Sequence, residues 1–247
     1  MLQAAIHSRQ LHYTAPDGTT LRGHFAIPKE VKAPLAGIVV CPEWWGLTEY
    51  PKNRAEHLAA LGYAALAIDV YGEGKVTNQA SQANQWMSDL LADQDLLLAR
   101  AKAGLDILAA QPDVDENRLA AIGFCFGGKI ALDMARAGFD LKGVVSFHGN
   151  LSPKAPAQPG QIKAEILIQH GQADSMVSMH DLASFKQEMD AAQVRYQVDV
   201  YPDAKHAFTN PLADERARNN GIDLGYNEAA DQQSNQAMLK FFKRIFK

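Results

Sequence analysis

A glycine-rich turn between a predicted strand and a predicted helix constrains this chain more than any other stretch. The sequence Gly123-Phe124-Cys125-Phe126-Gly127-Gly128 follows a predicted strand at 118–122 and precedes a predicted helix at 129–137. In a nucleophile elbow, a sharp strand-to-helix turn holds the nucleophile in a strained backbone conformation, and small residues two positions before and after it allow the close approach. Gly123 and Gly127 occupy these positions. The sequence therefore predicts an elbow with Cys125 at its tip.

The predicted position of Cys125 bears on its reactivity. At a helix N-terminus, backbone N–H groups and the helix dipole favour the thiolate, which is the nucleophilic form of cysteine. The alternative is a glycine-rich turn that contains a buried, inert cysteine. Because a Gly-x-Cys-x-Gly pattern is short, it does not distinguish these two possibilities by itself.

The size and charge of the chain favour an ordinary globular enzyme or binding protein. A chain of 247 residues with 47% hydrophobic content can bury a full core, and we expect one domain over 1–247 that begins with a hairpin at 1–30. The net charge is −4, and the sequence contains no basic run that would favour binding to nucleic acid or to an anionic membrane. Residues 1–6 lack the pattern of a signal peptide, and no long apolar segment occurs, so we expect a soluble, cytoplasmic protein.

The cysteine content argues against a disulfide framework and a structural zinc site. The chain has two cysteines and no Cys-x-x-Cys spacing, so we expect neither a metal nor another cofactor. Cys41 lies within an apolar run and is expected to be a small buried residue.

Strand and helix patterns alternate along the chain. The predicted strands are 10–14, 21–27, 36–41, 64–70, 118–122, 143–147, 165–170 and 196–201. The predicted helices are 51–61, 83–111, 129–137, 180–192 and 227–246. This order predicts an α/β fold with a mostly parallel central sheet, helices on both faces and the N-terminal hairpin as an antiparallel edge.

Two loops that follow strands supply partners for a cysteine nucleophile. Ligands bind at the carboxyl ends of strands in open α/β sheets; Asp174 follows the 165–170 strand and His206 follows the 196–201 strand. The chain order of nucleophile, acid and histidine is that of α/β-hydrolases, so we predict a catalytic set of Cys125, Asp174 and His206. A single such aspartate is usually a turn residue, and His170 is an alternative base, although a buried structural histidine is expected inside a strand.

Four ordered motifs resemble those of the dienelactone hydrolase family over nearly the whole chain. They are Gly-Phe-Cys-Phe-Gly-Gly at 123–128, Gly-x-x-Asp at 171–174, His-Ala-Phe at 206–208 and Cys-Pro-Glu-Trp-Trp-Gly at 41–46. The resemblance implies an α/β-hydrolase fold and hydrolysis of small esters or lactones through a thioester acyl-enzyme.

The same resemblance implies a role for each matching residue. Cys125 would be the nucleophile, His206 its base, and Asp174 the group that orients His206. Glu43 would interact with the resting thiol and assist thiolate formation when substrate binds. The backbone N–H groups of Trp44 and Phe126 would form the oxyanion hole.

Two positions depart from the family pattern. Where members of the family carry arginines that bind a substrate carboxylate, this chain has Glu73 and Asn210. An acid would repel that carboxylate, unless Lys75 or Arg54 substitutes. We expect the partner to be a small-molecule ester or lactone. We expect the protein itself to be a monomer or a small homo-oligomer. Aromatic residues near strand ends could line an apolar pocket, although we expect about half of them only to pack at the edge of the core. They are Trp44, Trp45, Tyr71, Phe126, Phe147, His148 and Phe208.

Two other functions remain open from sequence. The first is a non-catalytic binding protein with the α/β-hydrolase fold, because sequence does not show whether Cys125 and His206 meet. The second is a glutaminase-type amidotransferase, whose elbow has the same Gly-x-Cys-x-Gly form. That class requires a His-x-Glu pair, whereas His206 is followed by Ala207 and Phe208.

Overall fold

A computed structural model describes residues 5–247, which form eight strands and seven helices. The strands are β1 Ile6–Thr14, β2 Thr20–Pro28, β3 Leu35–Cys41, β4 Ala64–Ala67, β5 Val114–Phe124, β6 Gly143–Phe147, β7 Glu165–Gly171 and β8 Tyr196–Tyr201. The helices are α1 Glu49–Ala60, α2 Ala80–Ala92, α3 Gln94–Ala109, α4 Phe126–Arg136, α5 Met179–Ala191, α6 Ala213–Asn220 and α7 Glu228–Ile245.

The strands follow the order β1-β2-β4-β3-β5-β6-β7-β8 in the sheet. β1 pairs with β2 and β2 with β4 in antiparallel fashion, whereas the β3/β4, β6/β7 and β7/β8 pairs are parallel. This is the α/β-hydrolase fold, which confirms the predicted mostly parallel sheet with an antiparallel N-terminal hairpin. No helix within 5–247 is both long enough and apolar enough to cross a membrane.

The chain comprises two compact units, Met1–Ala121 and Ile122–Lys247, and β5 spans their boundary. The expectation of one domain over 1–247 stays a prediction. The expectation about a leader segment involves residues 1–4, which lie outside the described residues.

In the first unit, the hairpin follows its turn signal. Thr14 pairs with Thr20 across the Asp17-Gly18 turn, and the register continues to Ile6 opposite Pro28. The hairpin is longer than predicted because β1 and β2 pair over nine residues each. Gly18 lies at φ +84°, which glycine adopts without the steric cost of a Cβ.

The predicted strand at 64–70 ends early, at Ala67. The Asp69 carboxylate folds the chain into a turn instead. It accepts backbone N–H groups from Arg22 at 3.2 Å, Tyr71 at 3.1 Å, Gly72 at 2.9 Å and Gly74 at 2.8 Å. A buried carboxylate satisfied by the local backbone fixes this loop, since leaving those groups unpaired would cost free energy.

The prediction of one helix over 83–111 is wrong. The segment forms α2 and α3, which are separated at Asp93. Asp93 leaves the helical region, with φ −116° and ψ 77°, and its side chain accepts the Leu96 N–H at 3.0 Å. Aspartate is a preferred N-cap residue, and capping the second helix requires the first to end.

In the second unit, the structure contains one helix that the sequence pattern did not predict. α6 spans Ala213–Asn220, buries only Ala213 and ends at Gly221 in the left-handed conformation. A short polar helix lacks the apolar periodicity by which amphipathic helices are recognised.

A buried ion pair ties α4 to α5 within the second unit. The Arg136 guanidinium donates to both carboxylate oxygens of Glu188, at 3.0 and 2.7 Å, and also to Asp133 at 3.2 Å. It donates further to the Leu151 carbonyl at 2.7 Å, while the Ala157 N–H donates to Glu188 at 3.1 Å. The network therefore anchors both helices and the segment between β6 and β7.

We predict that Arg136→Met destabilises the fold by about 3–5 kcal/mol, because it leaves the buried Glu188 carboxylate without its cation. Urea unfolding measures the change. The control is Lys102→Met, which removes the exposed pair with Asp106 on α3 and should change stability little. A loss below about 1 kcal/mol for Arg136→Met would show that this network does not anchor the unit.

Candidate active site

Cys125 lies at the N-cap of α4 with φ 56° and ψ −119°. This is a strained conformation for a residue with a side chain, of the kind found where surrounding structure holds a functional group in place. A Cβ built on Gly123 would lie 1.9 Å from the Gly127 carbonyl oxygen. The end of β5 and the first turn of α4 therefore approach as closely as the elbow prediction requires, and only glycine fits at position 123.

The backbone N–H of Cys125 is held from the end of β6. It donates to the Phe147 carbonyl at 3.0 Å and to Nδ1 of His148 at 3.2 Å. A Cβ on Gly149 would lie 2.8 Å from the Gly128 Cα, so glycine at position 149 allows this loop to reach the first turn of α4. The turn at Cys125 thus has a second support besides β5.

Asp174 and His206 meet through a hydrogen bond. His206 Nδ1 lies 2.9 Å from Asp174 Oδ2, and both residues are buried. The other oxygen, Oδ1, accepts the N–H groups of Met176 at 2.8 Å and Val177 at 3.0 Å. The carboxylate is therefore fixed on both oxygens, and it fixes the orientation of the imidazole.

Close backbone packing brings the Asp174 loop to the His206 loop. A Cβ on Gly171 would lie 2.3 Å from the Ala204 carbonyl oxygen, and the Ala173 N–H donates to that same carbonyl at 3.0 Å. Glycine at position 171 thus permits the approach, and the backbone bond maintains it.

An exposed carboxylate also joins these two loops. Asp223 accepts from Ser175 Oγ at 2.7 Å and from Lys205 Nζ at 2.7 Å. Ser175 follows Asp174 directly and Lys205 precedes His206 directly. Asp223 therefore links the immediate neighbours of the two hydrogen-bonded residues.

The environment of His206 favours the charged imidazole. Burial alone would lower its pKa, but negative charge on Cys125 and hydrogen bonds to Asp174 and Cys125 raise the pKa to about 10. Because Nδ1 is bonded to Asp174, Nε2 is the nitrogen that faces the thiol. His206 thus lies between Asp174, which it hydrogen-bonds, and Cys125, while the role of these three residues as a catalytic set stays a prediction.

His170, the alternative base, has a different environment. It is buried in β7, burial lowers its pKa, and its Nε2 has no hydrogen-bond partner among the described residues. The carboxylate of Asp174 forms its hydrogen bond with His206.

The remaining predicted site residues of the first unit belong to two linked loops. Glu43 is buried, and its carbonyl accepts the Gly46 N–H at 3.2 Å; the Trp44 carbonyl accepts the Tyr71 hydroxyl at 2.8 Å. Trp45 is buried and its ring lies 5.0 Å from that of Trp44. These contacts define the loops, while the proposed roles of Glu43 and Trp44 stay predictions.

The two positions that depart from the family pattern have local partners. Glu73, at φ +56°, pairs with Arg22 at 2.9 Å. Asn210 is buried, and its Oδ1 accepts the Leu212 N–H at 2.9 Å. The Asn210 amide therefore supports its own turn.

The aromatic candidates of the second unit are buried. Phe147 stacks on Phe124 with ring centroids 4.8 Å apart, and Phe208 packs in a cluster with Tyr201. Their lining of a substrate pocket stays a prediction. In the described part of the chain, no group of three or more His, Cys, Asp or Glu side chains could hold a metal ion.

Sequence reasoning missed two contributors to this arrangement. It named His148 only as a pocket residue, and it did not name Asp223. The available signal for His148 was its place between the end of β6 and Gly149. Asp223 had no signal, because its partners are Ser175 and Lys205, which are far from it in sequence.

The model of the dienelactone hydrolase family matches residues 21–246. The chain belongs to this family. The match extends over most of both units and includes all four motifs that suggested the resemblance. Membership of this family supports a hydrolase that acts on esters or lactones.

Individual relatives agree with this assignment. A protein of Escherichia coli K12 named "Putative carboxymethylenebutenolidase" is 30% identical over 241 residues, covering 92% of this chain and 83% of that protein. A solved structure of P91, a dienelactone hydrolase-like promiscuous phosphotriesterase from metagenomic libraries, is 37% identical with a TM-score of 0.92, covering 98% of this chain and 99% of that one. The solved structure named m3DLH is 37% identical with a TM-score of 0.93, covering 99% and 100%.

The contact between Cys125 and His206 predicts a titration. Protonated His206 stabilises the folded chain fully below its ordinary pKa of 6.5, and that contribution is lost as pH rises through about 10. Cys125→Ala should therefore lower the pKa of His206 and move this loss of stability to lower pH, as followed by NMR titration of the imidazole. Cys41→Ala is the matched control, and an unchanged pKa in Cys125→Ala would contradict the contact.

Proposed function

We propose that this protein hydrolyses small esters and lactones by nucleophilic catalysis at Cys125. The observation that carries the proposal is the His206 ring, which hydrogen-bonds the Asp174 carboxylate through Nδ1 and contacts the Cys125 thiol. A nucleophile in contact with a base that a third group orients is the arrangement required for covalent acyl transfer. Membership of the dienelactone hydrolase family supports the same reaction class.

The reaction follows from these groups. The Cys125 thiolate attacks the acyl carbon, and collapse of the tetrahedral intermediate breaks the bond to the alcohol oxygen, which takes a proton from His206. A water molecule then attacks the thioester while His206 accepts its proton. Collapse breaks the carbon–sulfur bond, which releases the acid and regenerates the thiolate beside protonated His206. Thiolate is a better leaving group than amine, so esters, lactones and thioesters are favoured over amides.

Three further roles rest on the family resemblance. Two backbone N–H groups, from Trp44 and Phe126, would stabilise the developing oxyanion, an effect worth roughly 3–4 kcal/mol for each donor. Glu43 would interact with the resting thiol and assist thiolate formation when substrate binds. The roles of Trp44, Phe126 and Glu43 stay proposals.

The competing functions make different demands. An amidotransferase would release ammonia from glutamine, and a binding protein would turn over neither glutamine nor an ester. The absence of glutamate two residues after His206 disfavours the first, since that position holds Phe208. Cytoplasmic location and assembly as a monomer or small homo-oligomer remain predictions, the latter testable by size-exclusion chromatography.

Cys125→Ala should abolish hydrolysis of a p-nitrophenyl ester while leaving the thermal unfolding temperature nearly unchanged. Iodoacetamide should label Cys125 ahead of Cys41, because Cys41 is fully buried and burial raises the pKa of its thiol. Glu43→Gln should speed labelling of Cys125 at neutral pH if the glutamate restrains the thiol. Retained turnover in Cys125→Ala, or faster labelling of Cys41, would contradict the assignment.

The substrate class that we propose is uncharged. A substrate carboxylate bound by arginine gains charge-assisted hydrogen bonds of about 1.5–3 kcal/mol each, and neither position 73 nor position 210 supplies an arginine. Glu73 is an acidic residue at an exposed site, where it pairs with Arg22 at 2.9 Å.

We predict a kcat/KM for a neutral lactone at least about tenfold above that for a lactone bearing a carboxylate. Glu73→Gln should narrow this gap by removing repulsion of the charged substrate, while Glu30→Gln serves as a surface control. A wild-type preference for the charged lactone would show that another cation, such as Lys75 or Arg54, binds the carboxylate.

A second candidate activity is hydrolysis of neutral phosphotriesters. It is favoured by the 37% identity to P91 over nearly the whole chain. The same pair of proteins, wild type and Cys125→Ala, tests it with a p-nitrophenyl dialkyl phosphate. Equal release of p-nitrophenol by both would exclude cysteine-dependent triester cleavage.

A further inference from the structure

His148 is bonded through both ring nitrogens. Nδ1 accepts the backbone N–H of Cys125 at 3.2 Å, so this nitrogen carries a lone pair rather than a proton. The ring proton therefore lies on Nε2, which is 2.8 Å from Thr209 Oγ1. Both His148 and Thr209 are buried, and Thr209 thus selects the tautomer that can accept from Cys125.

The backbone aims this ring toward the elbow. His148 follows the last residue of β6, has φ 41° and donates its own N–H to the Gln169 carbonyl at 2.9 Å. Left-handed backbone is uncommon for a residue with a side chain. Here it ends the alternation of side chains between the two faces of the sheet, so the imidazole does not continue the pattern of β6. Gly149 then allows the loop to pack on Gly128.

The ring also contacts the base of the proposed reaction. The ring centroids of His148 and His206 are 5.4 Å apart in an edge-to-face arrangement, and the ring centroids of His148 and Phe208 are 5.2 Å apart. One imidazole thus lies against both the backbone of the nucleophile and the ring of its base.

We propose that His148 is a positioning residue for the attack by Cys125. This inference rests on the proposed function of Cys125 as nucleophile. The Cys125 N–H is shared between the Phe147 carbonyl and the His148 ring, and the second acceptor holds the elbow in its strained conformation. The edge contact holds His206 at the distance at which it exchanges a proton with the thiol. Small displacements of reacting groups are costly, since misplacement by about 1 Å can cost a hundredfold in rate.

The decisive pair of variants is His148→Leu and His148→Asn. The two side chains have similar size, but the Asn oxygen can replace Nδ1 as the acceptor, whereas Leu cannot. We expect His148→Leu to lower kcat for a neutral ester by about tenfold or more with KM nearly unchanged, and His148→Asn to recover most of that loss. If His148 only fills space, kcat should fall equally in the two variants and in proportion to their loss of thermal stability. That result would overturn the proposal.

A second measurement does not depend on turnover. The rate of iodoacetamide labelling of Cys125 should follow the same order, with wild type and His148→Asn above His148→Leu. If no protein hydrolyses an ester yet labelling keeps this order, the proposed function fails and the positioning role stands. If Cys125 is required for turnover but the labelling rate and kcat are the same in His148→Leu and His148→Asn, the positioning role fails and the proposed function stands.

Thr209→Val keeps the proposal testable if His148→Leu does not fold. Valine has nearly the shape of threonine but gives Nε2–H no acceptor, so the tautomer that accepts from Cys125 is no longer favoured. We expect a several-fold loss of kcat with little change in KM. Ser234→Ala, which removes a buried hydroxyl on α7, is the control, and a Thr209→Val enzyme as active as that control would contradict the proposal.

Discussion

The close approach of β5 to α4 is the constraint on which the rest of this site depends. With the Gly127 carbonyl oxygen 1.9 Å from where a Gly123 Cβ would stand, the chain has no room for a side chain there. The strand and helix meet only if the residue between them accepts a positive φ. That residue is Cys125, and the position of its thiol at the start of α4 follows from the steric requirement.

The same device recurs where other loops approach. Gly171 admits the Ala204 carbonyl, and Gly149 admits the first turn of α4. Each glycine lies at or just after the end of a strand, where a side chain would hold the loops apart. The close backbone contacts bring the polar groups within hydrogen-bonding distance. Asp174 thereby reaches His206, and the Cys125 N–H reaches His148. The buried Arg136 network restrains α4 from its other end.

Local signals in the sequence were sufficient to predict the sheet and the strand-to-helix elbow at Cys125. The Asp17-Gly18 turn fixed the hairpin, and the strands at 143–147 and 196–201 have the predicted bounds. The break at Asp93 was missed because apolar periodicity continues across it, so only the capping preference of aspartate indicated two helices. The contact of His148 with Cys125 was missed since it joins residues 23 positions apart through a backbone N–H that any residue type could supply.

The link that Asp223 forms between the Asp174 and His206 loops affects how the site can change in evolution. Its partners Ser175 and Lys205 lie at the surface, yet each is the immediate neighbour of a buried residue of the Asp174–His206 pair. Exposed ion pairs weaken as ionic strength rises, whereas buried ones are little screened. The restraint between the two loops is therefore adjustable from outside, by salt or by exchange of one surface residue, without repacking the interior. A lineage can tune the mobility of these loops while the core that positions them stays fixed.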